Sequence, residues 1–241
     1  MVEIFPGELF LNQADYDRNI RQLLPRYDEM LDLLVDCIPP NTRQLLELGC
    51  GTGELTGKIL SRFPNVEIVA VDYSPRMLDF ANAKIDQFGY GEKVHWIKAD
   101  FGNLANLNAP LADKNGFDVC LSSLAIHHLT DPMKEKVFQW IRENLQLNGC
   151  FWNGDLVLPD SPNLVEVYQK TREAWAVSHG TTLSKLREQI APTKPEGYSH
   201  EQQMGDLLDQ VAMLKNVGFS PVMVPWKYYQ LTVFGGYRSQ S

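Results

Sequence analysis

The residues with the clearest capacity for chemistry stand in one short run, Glu47-Leu48-Gly49-Cys50-Gly51-Thr52-Gly53-Glu54. Glycines at the end of a strand let the backbone turn tightly and let a ligand approach without meeting a Cβ. The spacing is G-x-G-x-G. A dinucleotide fingerprint needs its third glycine at position 54, where this chain has Glu54, and a carboxylate beside a pyrophosphate repels it. No G-x-x-x-x-G-K-[ST] run offers a cradle for a nucleoside triphosphate. The loop therefore suits a nucleoside without phosphates. Gly49, Cys50, Gly51 and Gly53 are its expected contacts, and Glu47 is placed to bind a cationic group through its carboxylate or a bound water. The competing reading is a plain glycine turn between strand and helix.

Two further carboxylates follow at strand ends. Asp72 closes the next apolar strand, where an acidic residue can accept both ribose hydroxyls; its structural alternative is a cap for the helix opened by Ser74-Pro75. Asp100 ends a third strand and can accept an exocyclic amine of adenine, while the backbone N–H of Phe101 can donate to a ring nitrogen; the alternative is a loop cap. Together these positions describe adenosine carrying a cationic tail. Tyr73 and Met77, around the turn after Asp72, complete the expected contacts. Beyond the fourth strand, Ser122-Ser123-Leu124-Ala125-Ile126-His127-His128-Leu129 brings imidazoles to the ligand edge of the sheet, where a histidine can serve as general base. His127 is the candidate base and Asp155, leaving the fifth strand, the candidate proton acceptor or cap. Trp175, His179, Tyr168, Tyr228 and Tyr229 are candidate pocket walls, with ordinary packing as the alternative. Metal-ligand spacing such as H-x-x-x-H is absent.

These residues need a scaffold. From residue 41, short apolar runs alternate with amphipathic stretches: strands at 44–48, 66–71, 94–99, 117–122 and 150–158, and helices at 55–63, 75–88 and 132–147. Asn148-Gly149 reads as the turn into the fifth strand. Such alternation predicts an α/β, doubly wound, mostly parallel sheet with right-handed crossovers. Before it, helices at 15–24 and 27–38 are separated at Pro25. After it, residues 159–200 break the rhythm with four prolines, and their length predicts a functional cap with helical patches at 164–177 and 183–190. A helix at 200–217 and strands at 219–226 and 229–234 close the chain. One domain over 1–241 is expected: an N-terminal helical lid (1–40), a donor-binding core (41–158), a substrate cap (159–200) and a C-terminal helix and strands (201–241).

Composition sets the outer bounds. The chain has 241 residues, 44% of them hydrophobic, which excludes global disorder. Its 22 basic against 30 acidic residues give a net charge of −8, which disfavours nucleic acid as a partner. Cys37, Cys50, Cys120 and Cys150 form no C-x-x-C pair and read as reduced, packed thiols. Without a basic-apolar leader or a long apolar run, a cytoplasmic protein away from membranes is expected.

The motifs Glu47-Leu48-Gly49-Cys50-Gly51-Thr52-Gly53, Asp72, Ala99-Asp100, Phe117-Asp118-Val119 and Leu147-Asn148-Gly149-Cys150-Phe151 together resemble those of class I S-adenosylmethionine-dependent methyltransferases. The resemblance implies a seven-stranded Rossmann-like sheet with its last strand antiparallel, and S-adenosylmethionine held above the strand ends. Tyr16-Asp17, Pro25-Arg26-Tyr27-Asp28, Leu214 to Phe219 and Trp226 to Gln230 resemble stand-alone small-molecule methyltransferases and, more distantly, carboxy-S-adenosylmethionine synthases. By that resemblance Tyr27 reaches the donor from the lid and Ser123 lies beside it. Tyr16, His128, Trp175, His179 and Tyr228 are then expected around a small acceptor. The synthases use an arginine from their C-terminal half for an extra carboxylate, and no arginine lies between Arg187 and Arg238. The expected activity is methyl transfer to a small O, N, S or C nucleophile, with a second copy of the chain, as a homodimer, among the candidate partners. The competing readings are a synthase, a tRNA or protein methyltransferase, and a non-enzymatic sensor of the donor or its product.

Overall fold

The computed structural model describes residues 13–100, 116–159, 161–190 and 204–239. Seven strands form one sheet in the order β3-β2-β1-β4-β5-β7-β6, with β1 (Gln44–Leu48), β2 (Glu67–Asp72), β3 (Val94–Lys98), β4 (Phe117–Ser123), β5 (Leu145–Leu156), β6 (Phe219–Tyr228) and β7 (Leu231–Arg238). The first five are parallel, and β7 runs antiparallel between β5 and β6. The predicted α/β class, seven strands and antiparallel last strand are all present.

Alternation along the buried strands divides the core between two faces. Leu45, Ile68, Val119, Leu121 and Trp152 pack with Met30, Leu34, Ile59 and Ile85 of α2 (Tyr27–Asp36), α3 (Glu54–Arg62) and α4 (Pro75–Gln87). Leu46, Leu48, Val69, Cys120 and Phe151 pack on the opposite face with Phe138, Ile141 and Leu214 of α5 (Asp131–Asn144) and α8 (Leu207–Asn216). The strand order reverses between β1 and β4, so the carboxyl ends of these strands flank the crevice where such sheets take ligands.

Outside the sheet, α1 (Gln13–Leu23) turns through Pro25 and Arg26, whose φ is +68°, into α2. Helices α6 (Pro162–Ser178) and α7 (Leu183–Ile190) occupy the stretch expected as a cap. Ala176, Leu183 and Leu186 make a small apolar cluster against Leu23 of α1.

Three boundaries differ from the sequence expectation. Strand β5 begins at Leu145, and Asn148-Gly149 form an outward bulge within it: Phe117 pairs with Leu145 and Val119 already with Cys150. The last hairpin turns at Tyr229-Gln230, with Tyr229 at φ +53°, rather than at Lys227-Tyr228. Helix α8 starts only at Leu207, because the Asp206 carboxylate accepts from the N–H groups of Leu208 (2.7 Å) and Asp209 (3.4 Å) and so caps it there. Among the described residues no helix is long and apolar enough to cross a membrane, and no group of histidine, cysteine or acidic residues is arranged to hold a metal.

Candidate functional site

The glycine loop is tied to the sheet by its own backbone. The N–H groups of Gly49 and Cys50 both donate to the Val71 carbonyl, at 2.8 and 3.1 Å. Gly51 and Gly53 take left-handed φ values of +51° and +76°. Their roles differ. A Cβ on Gly51 would meet nothing within 4 Å, so that position faces open space, whereas one on Gly53 would press on Ala81 Cβ at 3.1 Å. The second glycine keeps a ligand's approach clear; the third lets α3 start hard against α4.

Asp72 stands beside this loop, 6% exposed. One of its oxygens accepts from the Gly51 N–H and the other from the Ser74 N–H, each at 2.9 Å. A carboxylate has about four acceptor positions, so further donors can still be received. Helix α4 is capped by Ser74, whose side chain accepts from the Met77 N–H at 3.4 Å; Asp72 is therefore not that helix's N-cap. Burial raises the Asp72 pKa, opposed by the backbone N–H groups of Ser74, Gly51 and Tyr73. Met77 is buried, and Tyr73 and Asp100 are half-buried at the ends of β2 and β3. Phe101 lies outside the described residues.

Glu47, on β1, is 1% exposed and accepts from the Thr56 hydroxyl at 2.7 Å. Desolvation pushes its pKa up to about 8, with the charge of Asp72 adding to the rise. In this environment Glu47 is a largely protonated acid at neutrality, and an approaching cation favours its ionisation. Cys50 is buried, and burial raises its thiol pKa well above the ordinary value.

Helix α1 lies across the loop and is joined to it by charge. Asp17 accepts from the Thr52 hydroxyl (2.5 Å) and from Lys84 (2.7 Å). Glu54 pairs with both Lys84 and Arg21, and Arg21 also reaches Asp28. Although burial works the other way, these two cations bring the Glu54 pKa down to about 2. Glu54 thus does more than exclude a phosphate, because it anchors the helix above the donor crevice. Tyr16 is half-buried, and burial, with the charges of Asp17 and Asp72, raises its pKa. Tyr27 is buried near Tyr16, with the Arg21 guanidinium 5.6 Å from its ring centre. The ionic cluster of Asp17, Arg21 and Lys84 has no local signature in the sequence, because the pairs they make span up to 67 residues.

At the other end of the crevice, His127 and Asp155 meet. His127, in a 3-10 turn over Ile126–His128, sets its Nδ1 at 2.5 Å from one Asp155 oxygen and donates its backbone N–H to the other at 2.9 Å. Leu156 N–H (2.9 Å) and Asn153 Nδ2 (3.3 Å) supply two more donors to Asp155. Its acceptor positions are filled by protein. An Nδ1–H directed at a carboxylate leaves the imidazole lone pair on Nε2, the tautomer a general base needs. The His128 ring lies 3.9 Å from that of His127. Ser123 is the last residue of β4, in register with Gly154.

The expected walls are less concentrated. Trp175 donates from Nε1 to the Arg21 carbonyl at 2.8 Å, while His179 is exposed at the end of α6 with its Nδ1 against the Trp175 carbonyl. Trp175 thus joins α6 to α1, while the hydrogen bonds and ring contact of His179 stay within the end of α6. Tyr228, Tyr229 and Tyr168 form edge-on contacts, with ring centres 4.8 and 4.5 Å apart, at the β6–β7 turn. A groove of about 530 Å³ between α6 and α7 is lined by none of the expected residues.

Residues 45–149 match the family of the methyltransferase domain. With the sheet order and the glycine loop, this match makes residues 45–149 similar to class I methyltransferase domains, in line with the resemblance that the motifs carry. Over 112 residues the chain is 36% identical to the biotin biosynthesis bifunctional protein BioHC of Teredinibacter turnerae, covering 44% of this chain and only 18% of that one. A carboxy-S-adenosyl-L-methionine synthase of Campylobacter hominis is 24% identical over 96% of this chain and 97% of its own. In structure, the chain is similar to an O-methyltransferase family protein from Burkholderia thailandensis, with a TM-score of 0.66 and 15% identity; 95% of this chain and 62% of that one are covered.

Proposed function

We propose that the protein transfers a methyl group from S-adenosylmethionine to a small-molecule acceptor. The observation that carries this reading is the pair of carboxylates at opposite ends of one crevice, Asp72 with acceptor positions still to fill and Asp155 engaged with His127. Asp72 receives the ribose hydroxyls, Gly51 leaves the donor clear of any Cβ, and Glu47 ionises toward its cationic tail. Asp100, with Tyr73 and Met77, borders the base, and Tyr16 and Tyr27 cover the donor from α1 and α2.

The sulfonium makes its methyl carbon electrophilic. The acceptor atom attacks in line; the new bond to carbon forms as the carbon–sulfur bond breaks, and its electron pair returns to sulfur. The acceptor's proton passes to His127 Nε2. Asp155 is a positioning residue: it holds the tautomer and stabilises the imidazolium. The remaining work is to hold acceptor and methyl about 3–3.5 Å apart in a dry space. Helices α1, α6 and α7 close that space as lid and cap, which suits a small acceptor.

Calorimetric titration with S-adenosylhomocysteine, with NAD as control, tests the donor. Micromolar affinity for the first alone is expected; binding of neither overturns the reading. A sensor is distinguished by binding without methyl loss in the presence of metabolite acceptors. The likeness to a synthase along the whole chain favours a second reading, carboxylation of the donor methyl; mass analysis of the sulfonium product after incubation with carboxylic acids separates it from methyl transfer.

A further inference from the structure

Helix α1 has little stability of its own. It spans 11 residues, a length at which an isolated helix is marginal in water, and of its described side chains only Asn19 and Ile20 are buried. Its order and its place across the glycine loop therefore depend on attachments to other elements. Some of these are made at the last turn, where backbone carbonyls have no partner within the helix. The Ile20 carbonyl accepts from the Leu24 N–H at 2.8 Å. Arg172 and Trp175, one turn apart on α6, supply the other donors. Trp175 Nε1 bonds the Arg21 carbonyl at 2.8 Å, and Arg172 Nε bonds the Leu23 carbonyl at 3.3 Å.

Arg21 is where the two sides of the helix meet. Its carbonyl is held by Trp175, while its guanidinium pairs with Glu54, the first residue of α3 after the glycine loop. The same guanidinium bonds back to the Asp17 carbonyl at 2.7 Å, and the Asp17 carboxylate accepts from the Thr52 hydroxyl inside the loop. A short series of bonds thus runs from α6, through one residue of α1, to the loop that contains Gly51.

We infer that Trp175 is a positioning residue of the donor site: it holds α1 over the glycine loop and acts on the donor through that helix. This rests on the donor reading above and deepens it.

The test uses the full chain, with hydrogen exchange of the α1 and α6 amides and titration with S-adenosylhomocysteine. Trp175→Phe keeps an aromatic ring and removes the N–H. Exchange in α1 is expected to quicken in the ligand-free variant. Affinity for S-adenosylhomocysteine is expected to fall about three- to tenfold, the reach of one lost hydrogen bond. Lys170→Ala, at an exposed residue of α6 paired with Glu166, should change neither. Combined with Lys84→Met, which loosens α1 on the glycine-loop side, Trp175→Phe should cost less than the product of the two single losses, because both act through one helix.

A merely structural tryptophan would loosen α6 and leave α1 exchange and donor affinity as they are. Unchanged exchange in α1, unchanged affinity, or losses that multiply in full each overturns the inference. Should Trp175→Phe unfold the chain, the wild type decides: S-adenosylhomocysteine should slow exchange in α6 as well as in α1, and slowing in α1 alone overturns the coupling. Failure of S-adenosylhomocysteine to bind the wild type overturns the donor reading and this inference with it; binding that Trp175→Phe leaves untouched overturns the inference alone.

Discussion

Two buried aspartates end neighbouring parts of the same sheet and are used in opposite ways. Asp72 is held by backbone N–H groups alone, those of Gly51 and Ser74 at 2.9 Å with Tyr73 beside them, and keeps acceptor capacity for a ligand. Asp155 is surrounded by four donors and has none to spare. A carboxylate fixed by backbone alone can bind directly, while one saturated by its neighbours acts through the group it orients. In the proposed reaction the same residue type serves recognition at one end of the crevice and proton transfer at the other.

The strongest way to break this contrast is Asp155→Asn. An amide presents the wrong partner to the imidazole, and turnover should fall roughly 10²–10⁴-fold. Affinity for S-adenosylhomocysteine should stay within about twofold, whereas equal losses of both would mean that Asp155 shapes the donor site instead.

Glu47 adds a third carboxyl to the comparison. Its folded pKa of about 8 lies above its ordinary 4.5, so between those values the folded chain holds more protons than the unfolded one. Stability of the ligand-free protein should therefore fall as pH rises from about 4.5 to about 8. Glu47→Gln should flatten that slope and raise stability by roughly 2–4 kcal/mol above pH 8, as read from denaturant midpoints at pH 5 and 8.5.

Asp72→Ala should weaken S-adenosylhomocysteine binding by roughly 1–3 kcal/mol with little further effect on the bound enzyme's turnover. Unchanged affinity would remove Asp72 from the ribose. The smallest effect is expected from Lys84→Met, which removes the cation shared by Asp17 and Glu54. Donor affinity should drop about two- to fivefold at low salt, and the difference should shrink above about 0.5 M salt as charges are screened.

How far these features were legible in the chain follows from their range. The glycine loop, Asp72 and the strand alternation are local, because a strand, its turn and the next helix lie within about twenty residues, and the family likeness rests on them. The Asn148-Gly149 pair has the composition of a turn, but β5 accommodates it as a bulge. Asp118, quoted within a motif, works at the far edge: its carboxylate accepts from the N–H groups of Arg43 and Gln44, at 2.7 and 2.8 Å, and caps the start of β1. Trp175 and His179 have the composition of a pocket wall, but their bonds run to the α1 backbone and along α6 itself. The bond from Arg172 to the Leu23 carbonyl has no local signature for the same reason, since it spans 149 residues.

Helix α1 has two kinds of attachment. Toward the glycine loop it is held by ion pairs; toward α6 it is held by side chains that grip its backbone carbonyls. Mechanically these are a magnetic catch and a riveted hinge. Salt screens the first and leaves the second in place, so raising ionic strength should loosen α1 on its glycine-loop side while its grip on α6 persists.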